Sequence, residues 1–102
     1  PGVAEAVKSA DVLINATSVG LAPGETLPLD LGGLRPTTLV CDLIYRPLET
    51  AFLEAARGKG CRVLNGLGML LHQGAAGFRL FTGVDAPLDA MRAALARGLA
   101  GP

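Results

Sequence analysis

The stretch DVLINATSVG, residues 11–20, decides the fold predicted for this chain. Residues 11–16 are largely apolar and β-branched and do not alternate with polar residues. Such a run is typical of a strand buried on both faces, as in a parallel sheet. The run ends in two hydroxyl side chains and a glycine. Two further runs, residues 37–44 (TTLVCDLI) and the shorter 61–64 (CRVL), predict a second strand and a third at the sheet edge.

Helical patterns separate these strands. We expect helices over residues 1–10, with Val3 and Val7 on one side, and over 50–57, which Thr50 caps and which buries Phe52, Leu53 and Ala56. We also expect helices over 68–81, containing Gly74 and Gly77 in close packing, and from Pro87 at the first position of the last helix. A loop rich in Pro and Gly fills residues 21–36.

The order of elements predicts an α/β fold, the C-terminal half of a Rossmann-like doubly wound sheet with about three parallel strands flanked by helices. No GxGxxG loop is present, and an apolar edge strand at residues 12–16 would be a pairing hazard. We therefore expect a fragment of a larger two-domain fold. Residues 1–66 would be the second half of an NAD(P)-binding domain, and residues 67–100 its C-terminal helices.

Composition excludes several classes of partner. Nine basic and nine acidic residues balance, and the chain has one His and four aromatic residues, so neither a nucleic-acid nor a membrane partner is expected. Cys41 and Cys61 lie in apolar runs without CxxC spacing, which predicts reduced thiols, a cytoplasmic protein and no metal site. Half of the residues are hydrophobic and the mean hydropathy is +0.44, which suggests apolar surface that meets a neighbour.

Polar residues and glycines follow all three strands, at residues 15–20, 42–45 and 65–68. The carboxyl ends of parallel strands form the edge where ligands bind in open sheets. Gly66 and Gly68 let the backbone approach a ligand, and Met69 and Gln73 lie one turn apart on one helix face. Taken alone, this last stretch also fits a plain glycine-rich turn before a capped helix.

Three motifs in order carry a family resemblance: NATSVGL (15–21), DLIYRPLET (42–50) and GLGMLLHQG (66–74), followed by FRLFTG (78–83). Together they resemble the C-terminal portion of shikimate dehydrogenase over essentially the whole chain. The resemblance implies an oxidoreductase that uses NADP to reduce 3-dehydroshikimate reversibly to shikimate, in the chorismate pathway of aromatic amino-acid biosynthesis.

The resemblance also implies roles for individual residues. Ala16, Thr17, Ser18 and Gly20 match the loop beside the ribose and phosphates of the cofactor. Further cofactor-binding positions are Leu43, Gly66, Met69 and Leu70, the first three beside the nicotinamide. Tyr45 and Gln73 match the positions that hydrogen-bond shikimate. His72 points about 100° away from Gln73 and is not expected to be catalytic, and Asp42 is expected to be a structural hydrogen-bonding residue.

The family's catalytic Lys and Asp, its phosphate loop and its substrate domain match no part of this chain. We therefore expect no catalytic residue here, a missing N-terminal substrate domain as partner, and an isolated chain that is inactive. Two alternatives stay open: a quinate or aminoshikimate dehydrogenase, and a non-catalytic α/β module. Either way, the strand edge at residues 12–16 could form a homo-oligomer.

Overall fold

The computed structural model describes residues 2–22 and 25–100 and contains the predicted alternation of strands and helices. The elements, in chain order, are α1 (Gly2–Ser9), β1 (Val12–Asn15), β2 (Leu39–Asp42), α2 (Ala51–Gly58), β3 (Arg62–Leu64), α3 (Leu67–Thr82) and α4 (Leu88–Ala100). Pro1 of the predicted first helix and residues 23–24 of the predicted loop lie outside the described residues.

The three strands form one parallel sheet in the order β1-β2-β3, which confirms the predicted fold class. β1 and β3 flank β2, so the prediction that the third strand lies at an edge also holds. Val12 to Asn15 pair in register with Leu39 to Asp42, so Asn15 and Asp42 are direct partners. The carboxyl ends of the strands therefore meet at one edge.

One face of the sheet carries the hydrophobic core. Val40 in the central strand is fully buried, and Leu53 and Ala56 of α2 are buried in the same cluster. The predicted inward stripe of α2 is thereby confirmed, with Phe52 as its third member. In α1, Val7 joins this core, whereas Val3, predicted on the same side of the helix, is exposed.

The other face of the sheet is open among the described residues. Val12 and Ile14 are 52% and 54% exposed, and Leu64 is similarly exposed. The prediction that residues 11–16 are buried on both faces is wrong for this chain. Within this unit, α1 and α2 contribute to the core on one face, and successive strand residues point to opposite faces, so alternate apolar side chains of β1 are left exposed.

The chain divides into two compact units, Pro1–Gly66 and Leu67–Pro102. In the second unit, α3 begins one residue earlier than predicted and buries Leu71, whereas Leu80 and Phe81 are 86% and 93% exposed. Pro87 precedes α4 rather than opening it: its carbonyl accepts a hydrogen bond from the Met91 N–H at 3.0 Å. The fixed ring of proline suits that position because it needs only a carbonyl acceptor there.

The predicted close packing at the α3 glycines holds at one of the two. A Cβ on Gly74 would lie 3.4 Å from Met91 Cε, whereas a Cβ on Gly77 would meet no described atom within 4 Å. No helix within the described ranges is both long and apolar enough to cross a membrane.

Candidate functional site

The loop after β1 is shaped by the buried carboxamide of Asn15. Its Oδ1 accepts hydrogen bonds from the Thr17 N–H at 3.0 Å and the Thr17 hydroxyl at 2.6 Å. Its Nδ2 donates to the Val19 carbonyl at 3.0 Å. The loop is therefore held by a side chain that belongs to the strand. Ala16, Thr17 and Ser18 are exposed on it, and Gly20 is half-buried with φ of 108°.

Most of the loop's backbone donors already have partners. The Val19 N–H donates to Thr17 Oγ1, the Gly20 N–H donates to Glu25 Oε1 at 2.7 Å, and the Leu21 N–H donates to the Ser18 carbonyl. A phosphate at this loop would therefore use the exposed Ser18 hydroxyl, or would replace the Glu25 carboxylate on Gly20. Glu25 is exposed, so replacing it requires only a side-chain rotation.

The segment after β2 is fixed by Asp42. Its buried carboxylate accepts from the Ile44 N–H at 3.1 Å, while the Leu43 N–H donates to the Asn15 carbonyl at 3.1 Å. This confirms Asp42 as a structural hydrogen-bonding residue. The two bonds turn the chain so that Leu43 and Tyr45 face the same space.

That space is a cleft of about 570 Å³, lined by Leu21, Leu43, Ile44, Tyr45 and Arg46. Its volume falls in the range of small-molecule sites. Three aliphatic walls suit a flat ring, and the Tyr45 hydroxyl can donate or accept a hydrogen bond. Among the described lining residues, Arg46 contributes the only formal charge, which favours an anion. The lining of the cleft therefore suits a small molecule that combines an apolar face with polar or anionic groups.

Gly66 has a reason within the chain to be glycine. A Cβ there would overlap the Leu43 carbonyl and would lie 3.1 Å from the Ile44 carbonyl carbon. The Gly66 N–H donates to the Ile44 carbonyl at 3.0 Å. The end of β3 is thus pressed against the segment that lines the cleft. The close backbone contact at this glycine keeps Leu43 and Ile44 in position, and it does not depend on a bound ligand.

The remaining predicted positions lie on α3, in the second unit. Met69 and Gln73 are exposed four residues apart, as expected for one helix face, and Leu70 is half-buried. Gln73 Nε2 donates to the Leu70 carbonyl at 3.2 Å, which leaves its carboxamide oxygen available to a ligand. His72 is exposed as well.

The structure disfavours a reactive thiol at Cys41, and the described residues contain no cluster of metal ligands. Burial raises the pKa of the Cys41 thiol, which disfavours the nucleophilic thiolate. In residues 2–22 and 25–100, no group of three His, Cys, Asp or Glu side chains could hold a metal ion.

Sequence reasoning did not assign a site role to Leu21, Arg46 or Glu25. The first two lie inside the quoted motifs, so their position beside predicted ligand residues was a usable signal. No comparable signal marks Glu25, because its hydrogen bond with the Gly20 N–H depends on how the loop folds. Asn15 could have been found, because it and Asp42 are polar residues at the ends of neighbouring strands.

Comparison with known proteins shows which family this chain resembles. A family model described as "Shikimate 5'-dehydrogenase C-terminal domain" matches residues 66–96. The NADP(+) shikimate dehydrogenase of Moorella thermoacetica is 50% identical over 91 residues, which cover 88% of this chain and 31% of the relative. The resemblance to the C-terminal part of shikimate dehydrogenase is confirmed.

Solved structures agree with this result. The shikimate 5-dehydrogenase of Listeria monocytogenes, in complex with shikimate and NAD, superposes with a TM-score of 0.85 at 40% identity, covering 92% of this chain and 33% of that one. A quinate dehydrogenase of Corynebacterium glutamicum, in complex with NAD, gives 0.79 at 38% identity, covering 89% and 32%. The chain thus spans about a third of the length of the shikimate dehydrogenases it matches.

Proposed function

We propose that this chain supplies the C-terminal part of the cofactor domain and the C-terminal helices of a cytoplasmic, NADP-dependent shikimate dehydrogenase. The enzyme would reduce 3-dehydroshikimate reversibly to shikimate. The observation that carries the proposal is the cleft in which Leu43, Tyr45 and Arg46 meet at the carboxyl edge of the sheet. A parallel sheet binds its ligands at that edge.

Each predicted residue then has a defined task. Ala16, Thr17, Ser18 and Gly20 approach the ribose and phosphates of NADP, which when bound supplies or accepts the hydride. Leu43 and Gly66 border the nicotinamide, and Met69 and Leu70 on α3 match further cofactor-binding positions of the family, where a thioether suits a flat ring. None of these eight cofactor-contacting residues carries an acidic or basic side chain, and in this proposal the catalytic acid comes from a part of the enzyme outside this chain.

Two neutral polar groups would recognise the hydroxylated acid. The Tyr45 hydroxyl and the Gln73 carboxamide can each bond a substrate oxygen that loses water on binding. Arg46 would add charge attraction for the carboxylate. Together with the apolar walls, these groups would bind and orient the substrate beside the cofactor. Holding two reactants in the right geometry can supply much of the reduction of the activation barrier.

A second candidate is quinate oxidation. The quinate dehydrogenase named above is nearly as similar in fold as the shikimate enzyme. Quinate is also a polyhydroxylated carboxylic acid, so a tyrosine and a glutamine can bond either acid. Comparing kcat/KM for the two acids separates the candidates.

The test uses a chimera in which this chain replaces the matching C-terminal region of the Moorella thermoacetica relative. We expect NADP-dependent oxidation of shikimate by the chimera and no turnover by the 102-residue chain alone. A chimera that folds but oxidises neither shikimate nor quinate would refute the proposal. Turnover by the isolated chain would refute the expectation that it is inactive.

Two variants of the chimera test the substrate contacts. Tyr45→Phe and Gln73→Met each remove polar groups at nearly constant volume, and we expect each to lower kcat/KM for shikimate by roughly tenfold or more. The control is His72→Met, on the neighbouring face of α3, which should change kcat/KM less than about twofold. Equal effects at positions 72 and 73 would contradict the assignment of Gln73.

A further inference from the structure

A buried polar cluster joins the ends of β1 and β2 to the start of α2. Asn15 is 4% exposed, and Asp42 and Thr50 are each 1% exposed. Asp42 Oδ1 accepts from Asn15 Nδ2 at 3.2 Å, and Asp42 Oδ2 accepts from the Thr50 hydroxyl at 2.7 Å. The Thr50 oxygen in turn accepts from the Leu53 N–H at 3.3 Å. None of the residues predicted to contact ligand belongs to this cluster.

The hydrogen-bonding capacity of Asn15 is fully used. A carboxamide has two N–H donors and one oxygen with two lone pairs. The donors go to the Val19 carbonyl and to Asp42, and the oxygen accepts the Thr17 N–H and hydroxyl. Aspartate at this position would lack both donors and would place a second carboxylate against Asp42. The loop 16–20 therefore keeps its shape only while Asp42 holds the other end of the carboxamide.

Asp42 transmits the same constraint to the second loop. Besides the Asn15 and Thr50 side chains it accepts the Ile44 N–H, which lies between Leu43 and Tyr45. A buried carboxylate with three donors is satisfied, and loss of one donor leaves a buried oxygen with fewer hydrogen bonds than it needs. A shift of the loop 16–20 therefore disturbs the same carboxylate that fixes the residues lining the cleft.

We propose that Asn15, Asp42 and Thr50 are positioning residues that act as one unit and couple the loop 16–20 to the segment 43–45. Ligand binding at either segment then fixes the geometry of the other. The proposal rests on the proposed function only for the identity of the ligands, which are the cofactor at the loop and the substrate at the cleft. The coupling itself is a property of the free chain.

The test is amide hydrogen exchange, followed by NMR on the full ¹⁵N-labelled chain. For Asn15→Asp we expect exchange to rise roughly tenfold or more at Thr17 and Val19 and also at Ile44, on the far side of Asp42. Strand amides such as Val40 should change far less. A rise confined to Thr17 and Val19 would overturn the coupling, and an equal rise at every amide would show a general structural role instead.

Two more variants keep the test decisive if Asn15→Asp does not fold. Asp42→Asn alone keeps a buried amide and should raise exchange at Ile44 and Thr17 together. Added to Asn15→Asp, it restores one donor facing one acceptor, but the Ile44 N–H and the Val19 carbonyl still lose their partners. Because the cluster acts as one unit, the double variant should raise exchange at both loops by about as much as the stronger single variant. Exchange increases that simply add would overturn the proposal.

The matched control is Thr38→Val. Thr38 is also 1% exposed, and its hydroxyl donates to the Ala10 carbonyl at 2.8 Å. It lies just before the first residue of β2, at the end of the strand away from Asp42. This variant should raise exchange at neither loop. In the chimera, Asp42→Asn should raise KM for both NADP and shikimate, while Thr38→Val should raise neither. A rise for only one ligand would contradict the coupling, whereas an inactive parent chimera would bear on the proposed function alone.

Discussion

At the scale of single residues, Gly66 is the position where the fold most strictly excludes a side chain. The atom that a new Cβ would overlap is the Leu43 carbonyl, which belongs to the backbone and cannot rotate away as a side chain can. The ends of β2 and β3 would have to separate. The fold of the chain therefore requires glycine at this position, independently of the proposed role beside a ligand.

We predict that Gly66→Ala lowers the free energy of unfolding by about 3 kcal/mol, the upper end of overpacking. The control is Gly68→Ala, where a Cβ would meet no described atom within 4 Å. Because Gly68 lies in α3, that change should be neutral or stabilising by up to about 1 kcal/mol. Urea denaturation measures both variants. A Gly66→Ala chain within about 0.5 kcal/mol of the parent would contradict the close approach, given the usual scatter at neutral sites.

Cys41 gives a prediction about pH. Burial raises the pKa of its thiol, so the folded state favours the neutral form. Its contribution to stability is present below the ordinary thiol pKa and is lost as the pH rises through the raised pKa. In a Cys61→Ser background, Cys41 should react with iodoacetamide more slowly than free cysteine at pH 8. A rate equal to that of free cysteine would contradict the effect of burial.

At the scale of elements, α2 is fixed by its first residues. Thr50 precedes the helix with an extended backbone and accepts the Leu53 N–H, while its own hydrogen goes to Asp42. One hydroxyl thus caps a helix and satisfies a buried carboxylate.

We expect Thr50→Ala to lower the free energy of unfolding by about 2–4 kcal/mol, the sum of a lost cap and a lost donor to a buried charge. Thr50→Ser keeps the hydroxyl and should stay within about 1 kcal/mol of the parent. Guanidinium denaturation of both chains makes the comparison. If serine loses as much as alanine, the methyl group rather than the hydroxyl stabilises this position.

The elements that sequence predicted best are those determined by local chemistry. The Thr50 cap and the stripe of Phe52, Leu53 and Ala56 lie within seven residues, so the local pattern is enough to predict the helix and its buried face. The burial of Val12 and Ile14 depends instead on whether another layer covers the sheet. An apolar run indicates a strand, but it does not indicate how many of its faces are covered.

The same distinction holds at the candidate site. The convergence of strand ends in a parallel sheet predicts that residues 42–45 lie at one edge, and the family resemblance selects Leu43 and Tyr45 among them. Both side chains line one cleft at that edge. The contact of Gly66 with Leu43, and that of Glu25 with Gly20, depend on how turns bring distant backbone together. Glycine and glutamate in a loop fit many conformations, so their sequence positions could not reveal these contacts.

At the scale of the whole molecule, many large apolar side chains are exposed. Half of the residues are hydrophobic, and large side chains are exposed in each of the two units, including Ile14 in the first and Phe81 in the second. The shikimate dehydrogenases it matches are about three times as long. In a longer relative, additional chain is available to cover such surfaces. In the isolated chain, only solvent or another copy is available.

We therefore predict that the isolated chain self-associates through β1. This strand flanks the sheet in the described residues, so its outer backbone groups are unpaired by the sheet, and Val12 and Ile14 add apolar area beside them. Covering each such side chain contributes about 1.5–3 kcal/mol at most. Sedimentation velocity over roughly micromolar to millimolar concentrations should show a rising average mass.

Ile14→Lys should shift the chain towards monomer, because a desolvated ammonium opposes pairing at the edge. The control, Val3→Lys, makes a similar change at an exposed position of α1 and should leave association unchanged. A parent chain that stays monomeric at every concentration would contradict pairing at this edge. Equal dissociation by both lysine variants would instead assign the association to net charge.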